Sequence, residues 1–356
     1  MPETKSVKLG YADDWALSYQ SKDWEELESV LSRDTTDLKQ YFDKWYLKMN
    51  MTKTVSSVFH LNNKQAQNPL TITVDNKTLP IEREPKYLGV TLDRTLSYKA
   101  HIQGIAKKVN KRNCIIRKIA GTSWGAKQSV LRTSGLALCY SAAEYAAPVW
   151  SRSSHTHQID TKLRDTMRTI SGCLKSTPNN WLPVTSAIAP PHLRREEANQ
   201  KFHAKIQNTE SDTPIRIAYE SAPSSSRLKS RNPFHLSKKN EFDILESWKD
   251  EWTDNTPRGG DLIQDPTERL PGFNSANRKA WVMANRIRTR HGRTAANLHK
   301  WGFIENPICP RCNGPPQDTD HIILNCPVTK LEGGYTTANR CEDDLLAWID
   351  KHNMEL

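Results

Sequence analysis

Acidic side chains are missing from two long windows of this 356-residue chain. From Arg94 to Ala143 no residue is Asp or Glu, while ten are Lys or Arg. From Asn274 to Lys300 acids are absent again, and Arg278, Lys279, Arg286, Arg288, Arg290, Arg293 and Lys300 stand there. A basic helix is often just a solvated face. A long window without one acid fits better a surface that follows a phosphate backbone, where affinity comes from counterion release. The net charge of +11 agrees with a polyanionic partner and says nothing about fold. Also lacking is any run of ~18 apolar residues, so no transmembrane helix and no membrane partner are implied. Met1-Pro2-Glu3-Thr4 opens no apolar secretory core. The chain is therefore expected to be intracellular, in nucleus or cytoplasm, and not secreted. Of seven cysteines, three form one metal-like cluster and four are scattered, so no disulfide framework is expected. No internal repeat is visible. The length allows two or three domains with real cores.

What is present begins near the start, at Tyr11-Ala12-Asp13-Asp14. Val7, Leu9 and Tyr11 alternate before the acidic pair, and Trp15, Leu17 and Tyr19 alternate after it. Period-two alternation predicts strands with one buried face, here a hairpin with Ala12, Asp13 and Asp14 near its tip. Two adjacent carboxylates at an exposed tip repel each other, and nothing in the local sequence neutralises them. A divalent cation would: Mg²⁺ is usually held by one or two carboxylates plus substrate phosphates. Asp-Asp is also an ordinary solvated turn, and four letters alone do not separate the readings.

Residues 22 to 48 predict a long amphipathic helix, with Trp24, Leu27, Leu31, Leu38, Phe42 and Trp45 in one stripe. A strand ending at Phe59 should follow. Ile72 and Val74 begin a hairpin turning at Asp75-Asn76-Lys77, and its second arm passes Leu79 and Ile81. Tyr87 to Leu92 reads as one further strand. Within the first acid-free window, residues 99 to 120 look helical, with Ile102, Ile105, Val109, Ile116 and Ile119 on the apolar side. Lys107, Lys108, Lys111, Arg112 and Lys118 occupy the rest, and Gly121 is a reasonable C-cap. Further helices are expected from about Lys127 to Ala143 and from Ile159 through Leu163, Met167 and Ile170. Pro214, Pro223 and Ser224-Ser225-Ser226 indicate a linker, with a short helix around Phe242 to Trp252.

Near the end, Cys309, Cys312, His321 and Cys326 form a C-x2-C-x8-H-x4-C arrangement. Two cysteines separated by two residues reach one zinc, and a distal His and Cys complete a Cys₃His tetrahedron. Asp318 or Asp320 could orient the His321 ring. Arg311, with Trp301 and Phe303 nearby, suits phosphate and base-stacking contacts, although packing accounts for the aromatics equally well.

The order of these segments resembles a known family. The Tyr-x-Asp-Asp tetrad, then Leu47-Lys48-Met49-Asn50-Met51-Thr52-Lys53-Thr54, then Tyr87-Leu88-Gly89-Val90-Thr91-Leu92-Asp93 look like three successive palm motifs of retroelement reverse transcriptases. Ala120-Gly121-Thr122-Ser123-Trp124-Gly125, Glu144-Tyr145-Ala146-Ala147-Pro148-Val149-Trp150 and Ala189-Pro190-Pro191-His192-Leu193-Arg194-Arg195-Glu196-Glu197 continue the match. Together they resemble jockey-like and related LINE-type, non-LTR elements over most of the chain. The cysteine cluster is similar to the C-terminal zinc knuckle of those enzymes.

The resemblance implies an α+β protein. Residues 1–94 would be a partial palm, with antiparallel strands backed by a helix, and 95–208 a helical thumb. Residues 209–258 would be a linker, and 259–356 a basic helical segment with the CCHC knuckle. It implies RNA-directed DNA polymerase chemistry with Mg²⁺ at Asp13 and its auxiliary Asp14, and Lys53 beside the departing pyrophosphate. Tyr87, Leu88 and Gly89 would grip the primer. Lys107, Lys108, Lys111, Arg112, Arg286, Arg288 and Arg311 would bind nucleic acid, and Zn²⁺ would sit on Cys309, Cys312, His321 and Cys326. The implied partners are an RNA template, a DNA primer and, in an active enzyme, a deoxynucleoside triphosphate. The family also needs an aspartate from an earlier palm strand and a fingers region, and ten residues precede Tyr11. The expectation is therefore the C-terminal half of a polymerase, inactive alone unless the other half is supplied. The alternatives are a non-catalytic RNA- or DNA-binding module and an inert remnant of a mobile element.

Overall fold

A computed structural model describes residues 1–62, 64–222, 234–239 and 241–356. Pro223 and Ser224 to Ser226, all of the expected linker signal but Pro214, lie outside the described residues. The chain divides into two units, residues 1–104 with 153–155, and residues 105–152 with 156–356. Among the described residues it is mixed α/β, with three small antiparallel two-stranded sheets.

In the first unit, β1 (Val7–Tyr11) and β2 (Asp14–Ser18) form the expected hairpin. Tyr11 pairs with Asp14, so the turn is the two residues Ala12 and Asp13, with Ala12 at φ +51°. This register overturns the expectation of one buried face. Paired residues share a face, so Val7, Leu9 and Tyr11 lie on one face with Ser18, Ala16 and Asp14, and Trp15 and Leu17 lie on the other. The first set is exposed. Trp15 turns instead toward α1 (Trp24–Lys44), its ring 5.9 Å from that of Phe42.

Helix α1 is capped by Asp23, whose side chain accepts from the Glu25 amide at 3.0 Å; a cap of this kind contributes about 1 kcal/mol. It ends at Lys44, short of the expected 48, which leaves Trp45 outside the apolar stripe and exposed. An acid that the sequence pattern does not single out, Asp34, is fully buried on α1. It accepts from the Ser6 amide at 2.8 Å and from Arg33 at 3.0 Å, fixing the start of β1 to the helix. Leu70, Ile72, Val74 and Leu79 pack against Leu27 and Leu31 of α1. The expected hairpin is β3 (Thr73–Val74) and β4 (Lys77–Thr78), turning through Asp75 and Asn76 at φ +48° and +62°.

Two strand expectations fail here. The strand ending at Phe59 reduces to an isolated bridge between Ser56 and Ile81. Tyr87 to Leu92 is not one strand but a tight hairpin, β5 (Lys86–Tyr87) and β6 (Val90–Thr91). Its turn is Leu88 and Gly89 at φ +44° and +80°, the backbone a two-residue primed turn requires.

Helix α2 (Lys99–Arg117) leads from the first unit into the second. It buries Ile102, Ile105, Ala106, Val109 and Ile116, but stops before Ile119, which is exposed. Gly121 is not its C-cap: the Gly121 amide donates to the Trp124 carbonyl at 3.1 Å in a separate loop. The next helix, α3 (Gln128–Gly135), runs through a π turn at Leu136–Tyr140 into α4 (Ser141–Ala143). Asn113 of α2 sews these together. Its Oδ1 accepts from Thr166 Oγ1 at 2.6 Å and Cys139 Sγ at 3.3 Å, and its Nδ2 donates to the Lys162 carbonyl at 2.8 Å. Two of the sequence motifs also meet. Glu144 accepts from Arg194 at 2.8 Å, and Asp160 from the buried Arg195 at 2.9 Å. These pairs join the C-cap of α4, just ahead of α5 (Ala147–Trp150), and α6 (His157–Ser171) to α8 (Pro191–Gln207).

The main core gathers Trp181 of α7 (Trp181–Ser186), Trp281 and Ile287 of α11 (Arg278–Arg288), Ile322, Ile323 and Trp348. After α9 (Pro214–Glu220), the helix expected around Phe242 to Trp252 is α10 (Ile244–Asp254), and it sends Trp248 and Trp252 into this core. Helix α11 crosses the C-terminal end of α6 at close range. A β-carbon on Gly172, at φ +73°, would stand 2.3 Å from Val282. At that end three side chains of α11 donate to carbonyls that α6 leaves unpaired. Arg278 reaches Thr169 at 2.7 Å, Ile170 at 2.6 Å and, from the loop after α2, Gly121 at 2.9 Å. Asn285 reaches Ser171 at 2.9 Å, and Arg286 reaches Gly172 at 3.1 Å. Cations belong at helix C-termini on electrostatic grounds.

Because Arg278 is buried and closes three carbonyls at once, Arg278→Ala should cost about 3 kcal/mol in urea unfolding. Its neighbour Lys279, paired with Asp350 near the surface, should lose under ~0.5 kcal/mol on conversion to alanine. Equal losses would contradict the clamp.

Candidate functional site

The acidic tip is open. Asp13 and Asp14 are exposed, and among the described residues neither side chain makes an ion pair or hydrogen bond. The β1–β2 register puts Asp14 beside Tyr11 on the uncovered face, with Asp13 in the turn itself. The β5–β6 turn comes to this hairpin: Tyr87 Oη donates to the Leu9 carbonyl at 3.3 Å. Residues 78 positions apart in sequence are thus tied by a hydrogen bond. Lys53 sits exposed in a loop set by Asn50, whose Oδ1 accepts from the Thr52 and Lys53 amides at 3.1 and 3.2 Å. Among the described residues it pairs with neither carboxylate. The donor set fits a hard cation such as Mg²⁺ in kind, but no third acid joins these two in a ligand cluster among the described residues.

The cations sort into two classes. Lys107, Lys108 and Lys111 are exposed on α2, and Arg112 is half-buried with its guanidinium on the Leu138 carbonyl. Arg286 and Arg288 were expected on the same kind of surface, and the structure gives them another task. Both are buried. Arg286 holds Gly172 and the Leu356 carbonyl, while Arg288 holds Pro271 at 2.8 Å and Asn339 Oδ1 at 2.8 Å and lies over the Trp281 ring. Burial pulls the Arg278 and Arg288 guanidiniums down to about 10, so both remain charged at neutral pH. Neither arginine leaves its guanidinium open to phosphate. The signal was in the sequence: Ala280, Trp281, Val282, Met283, Ala284 and Ile287 surround the helix, which marks it as buried on all sides.

The four cluster residues do converge. The donor atoms of Cys309, Cys312, His321 and Cys326 all lie within 4.8 Å of one another. Cys309 Sγ is 4.0 Å from Cys326 Sγ, and Cys312 Sγ is 3.4 Å from His321 Nε2. Ligands of a tetrahedral zinc stand about 3.3–3.8 Å apart, so the cluster could hold zinc with little movement. The local folding explains the spacing. Cys309 and Cys312 bracket a turn closed by Asn313 N on Cys309 O at 2.9 Å. His321–Asn325 is a π turn whose i→i+5 bond, Cys326 N on His321 O at 2.7 Å, draws the last two ligands to one side. Burial raises the Cys326 thiol, but hydrogen bonds from the Thr329 hydroxyl and the Val328 and Thr329 amides outweigh it and bring the group to about 6, toward the thiolate a metal needs.

Neither acid proposed to orient the His321 ring is engaged with it. Asp318 accepts from the His321 amide at 2.7 Å. Asp320 pairs with Arg258 at 2.5 Å and Arg290 at 3.7 Å and accepts from Tyr335. Arg311 is exposed, with one guanidinium nitrogen on the His352 carbonyl at 2.8 Å, and Phe303 is exposed. The π turn also carries Ile322 and Ile323 into the main core. A metal held by these four residues would therefore be linked to the core. Purified chain should contain one zinc by elemental analysis, and Cys326→Ser should lose it and lower the urea midpoint. Full zinc occupancy in that variant would exclude the assigned ligands.

No family model and no solved structure matches the chain. It is similar, at 23% identity, to a Pol polyprotein from the type-1 retrotransposable element R1 4 of Nasonia vitripennis, over 91% of this chain and 87% of that protein. It is 22% identical to a putative 115 kDa protein in the element R1DM of Drosophila melanogaster, over 89% of this chain but 30% of that protein. It is 29% identical to the RNA-directed DNA polymerase of the Drosophila mobile element jockey, over 46% of this chain and 18% of that enzyme. The chain thus spans most of one relative and less than a third of the other two. No helix among the described residues is long and apolar enough to cross a membrane. The homologues of this chain thus include proteins of R1 retrotransposable elements, matched over most of its length, and RNA-directed DNA polymerases of the X-element and jockey, matched over about half of it, all at low identity.

Proposed function

We propose that this chain is the C-terminal part of a non-LTR retrotransposon reverse transcriptase, an RNA-directed DNA polymerase. The observation that carries the proposal is the exposed Asp13-Asp14 tip of a two-residue hairpin turn, in a chain aligned with such polymerases. Asp13 would hold a divalent cation with Asp14 as its close auxiliary. When bound, that cation supplies charge neutralisation at the transferring phosphoryl group. Lys53 would meet the negative charge of the departing pyrophosphate. The Tyr87-Leu88-Gly89 turn, tied to β1 through Leu9, would fix the primer end relative to the carboxylates. Residues 1–94 would act as part of the palm and 95–208 as the thumb. There Lys107, Lys108, Lys111 and Arg112 would follow the backbone of an RNA template and DNA primer. The residues after 258 would hold the zinc knuckle, with Arg311 at its surface, and Zn²⁺ there would be structural.

With two carboxylates and no third acid clustered with them among the described residues, the cation should bind weakly. The 356-residue chain alone should therefore extend a primer negligibly. Activity would then require a further carboxylate-bearing segment of such a polymerase. Primer extension on poly(rA)·oligo(dT) with Mg²⁺ or Mn²⁺ should give no product; incorporation abolished by Asp13→Ala would reverse that expectation. The cation site itself is tested by Mn²⁺ titration followed by electron paramagnetic resonance, with the hybrid present. One weak site should vanish in the Asp13→Asn, Asp14→Asn double variant. Unchanged Mn²⁺ occupancy would remove the basis of the polymerase reading.

A further inference from the structure

The segment Ala120-Gly121-Thr122-Ser123-Trp124-Gly125 has no part in the reading so far, and its construction is specific. It follows α2 directly and closes on itself. Gly121 N donates to Trp124 O at 3.1 Å, Ala126 N donates to Ile119 O at 2.9 Å, and Ala120 bridges Gly125. The indole of Trp124 lies against Gly121. A β-carbon there would stand 2.5 Å from the ring nitrogen and 2.6 Å from Cε2. From the inside the loop is fastened by the buried Arg278, whose Nε holds the Gly121 carbonyl at 2.9 Å. Yet Trp124 is 61% exposed. A buried cation and a glycine thus frame a large aromatic ring that stands in water. An exposed, pre-set aromatic in such a frame is built to be covered.

The surroundings say by what. No acid occurs from Arg94 to Ala143. The helix that ends just before the loop carries exposed Lys107, Lys108 and Lys111, and exposed Lys118 lies in the intervening turn. A π-face beside a positive track matches the chemistry of a single-stranded nucleic acid, in which cations follow phosphates and aromatic rings take bases. We propose that Trp124 is a stacking platform for one unpaired base of RNA or DNA held along the α2 lysines. The proposal rests on the nucleic-acid side of the function above and adds a residue to it.

The test compares a fluorescein-labelled oligo(dT) with the same strand made abasic, by anisotropy on the full chain across a salt series. Trp124→Ala should weaken oligo(dT) binding about 5- to 150-fold. It should leave the abasic strand and the salt slope unchanged, because no phosphate contact is lost. Trp124→Phe should restore most of the affinity. Trp124→Leu, which keeps an apolar side chain without a π-face, should not, and this variant stands in should the alanine chain fail to fold. Equal weakening on both strands, no weakening on either, or full affinity in Trp124→Leu would overturn the stacking role. So would a change in oligomeric state on substitution, which would make the ring a contact between copies. The wild-type chain separates the two levels. If it binds neither strand, the nucleic-acid reading falls and this inference with it. If it binds oligo(dT) with steep salt dependence but ignores Trp124, the inference alone falls.

Discussion

The second unit depends on one interaction, the seating of α11 across the C-terminal end of α6. Four carbonyls at that end, from Thr169 to Gly172, are met by Arg278, Asn285 and Arg286. A helix end buried without partners would leave each carbonyl desolvated at about 1–3 kcal/mol. Guanidinium groups answer that demand with several donors in a fixed fork, and they add the favourable field of a cation at a helix C-terminus. Gly172 is what permits the contact, since any side chain there would collide with Val282. The same Arg278 reaches outward to Gly121, so one buried residue ties the core to a surface loop.

This arrangement divides the chain's positive charge by job. Arginines of α11 face inward and organise backbone, while lysines of α2 face outward and remain hydrated. Arg288 extends the inward set to the Pro271 and Asn339 carbonyls. Asp320 gathers Arg258, Arg290 and Tyr335 beside the π turn, and the Cys/His cluster is rooted in the core through Ile322 and Ile323. The cluster is part of the C-terminal core rather than an appendage.

Local patterns in the sequence were legible wherever a single element decides its own conformation. The Tyr11–Asp14 turn, the Asp75-Asn76 turn, the apolar stripe of α6 and the Cys₃His spacing all carry their geometry in neighbouring residues. Failures came where a distant partner decides. Leu88 at positive φ turns an apparent strand into a hairpin, which period-two reading cannot see. The odd-to-even pairing of β1 with β2 sent Val7, Leu9 and Tyr11 to the opposite face from Trp15, because register depends on turn length. Arg286 and Arg288 looked like phosphate ligands because sequence gives charge but not the carbonyls it will meet. Asp34 shows the same limit from the acidic side: its partner is an amide 28 residues away.

The division of charge is the claim on which the nucleic-acid account stands, and side-chain footprinting addresses it directly. Lysines of the full chain would be modified with an amine-reactive ester, with and without an RNA–DNA hybrid, and read by mass spectrometry. The account expects Lys107, Lys108 and Lys111 to become protected while Lys279 of α11 keeps its reactivity. Protection of Lys279 with the α2 lysines unchanged would contradict it.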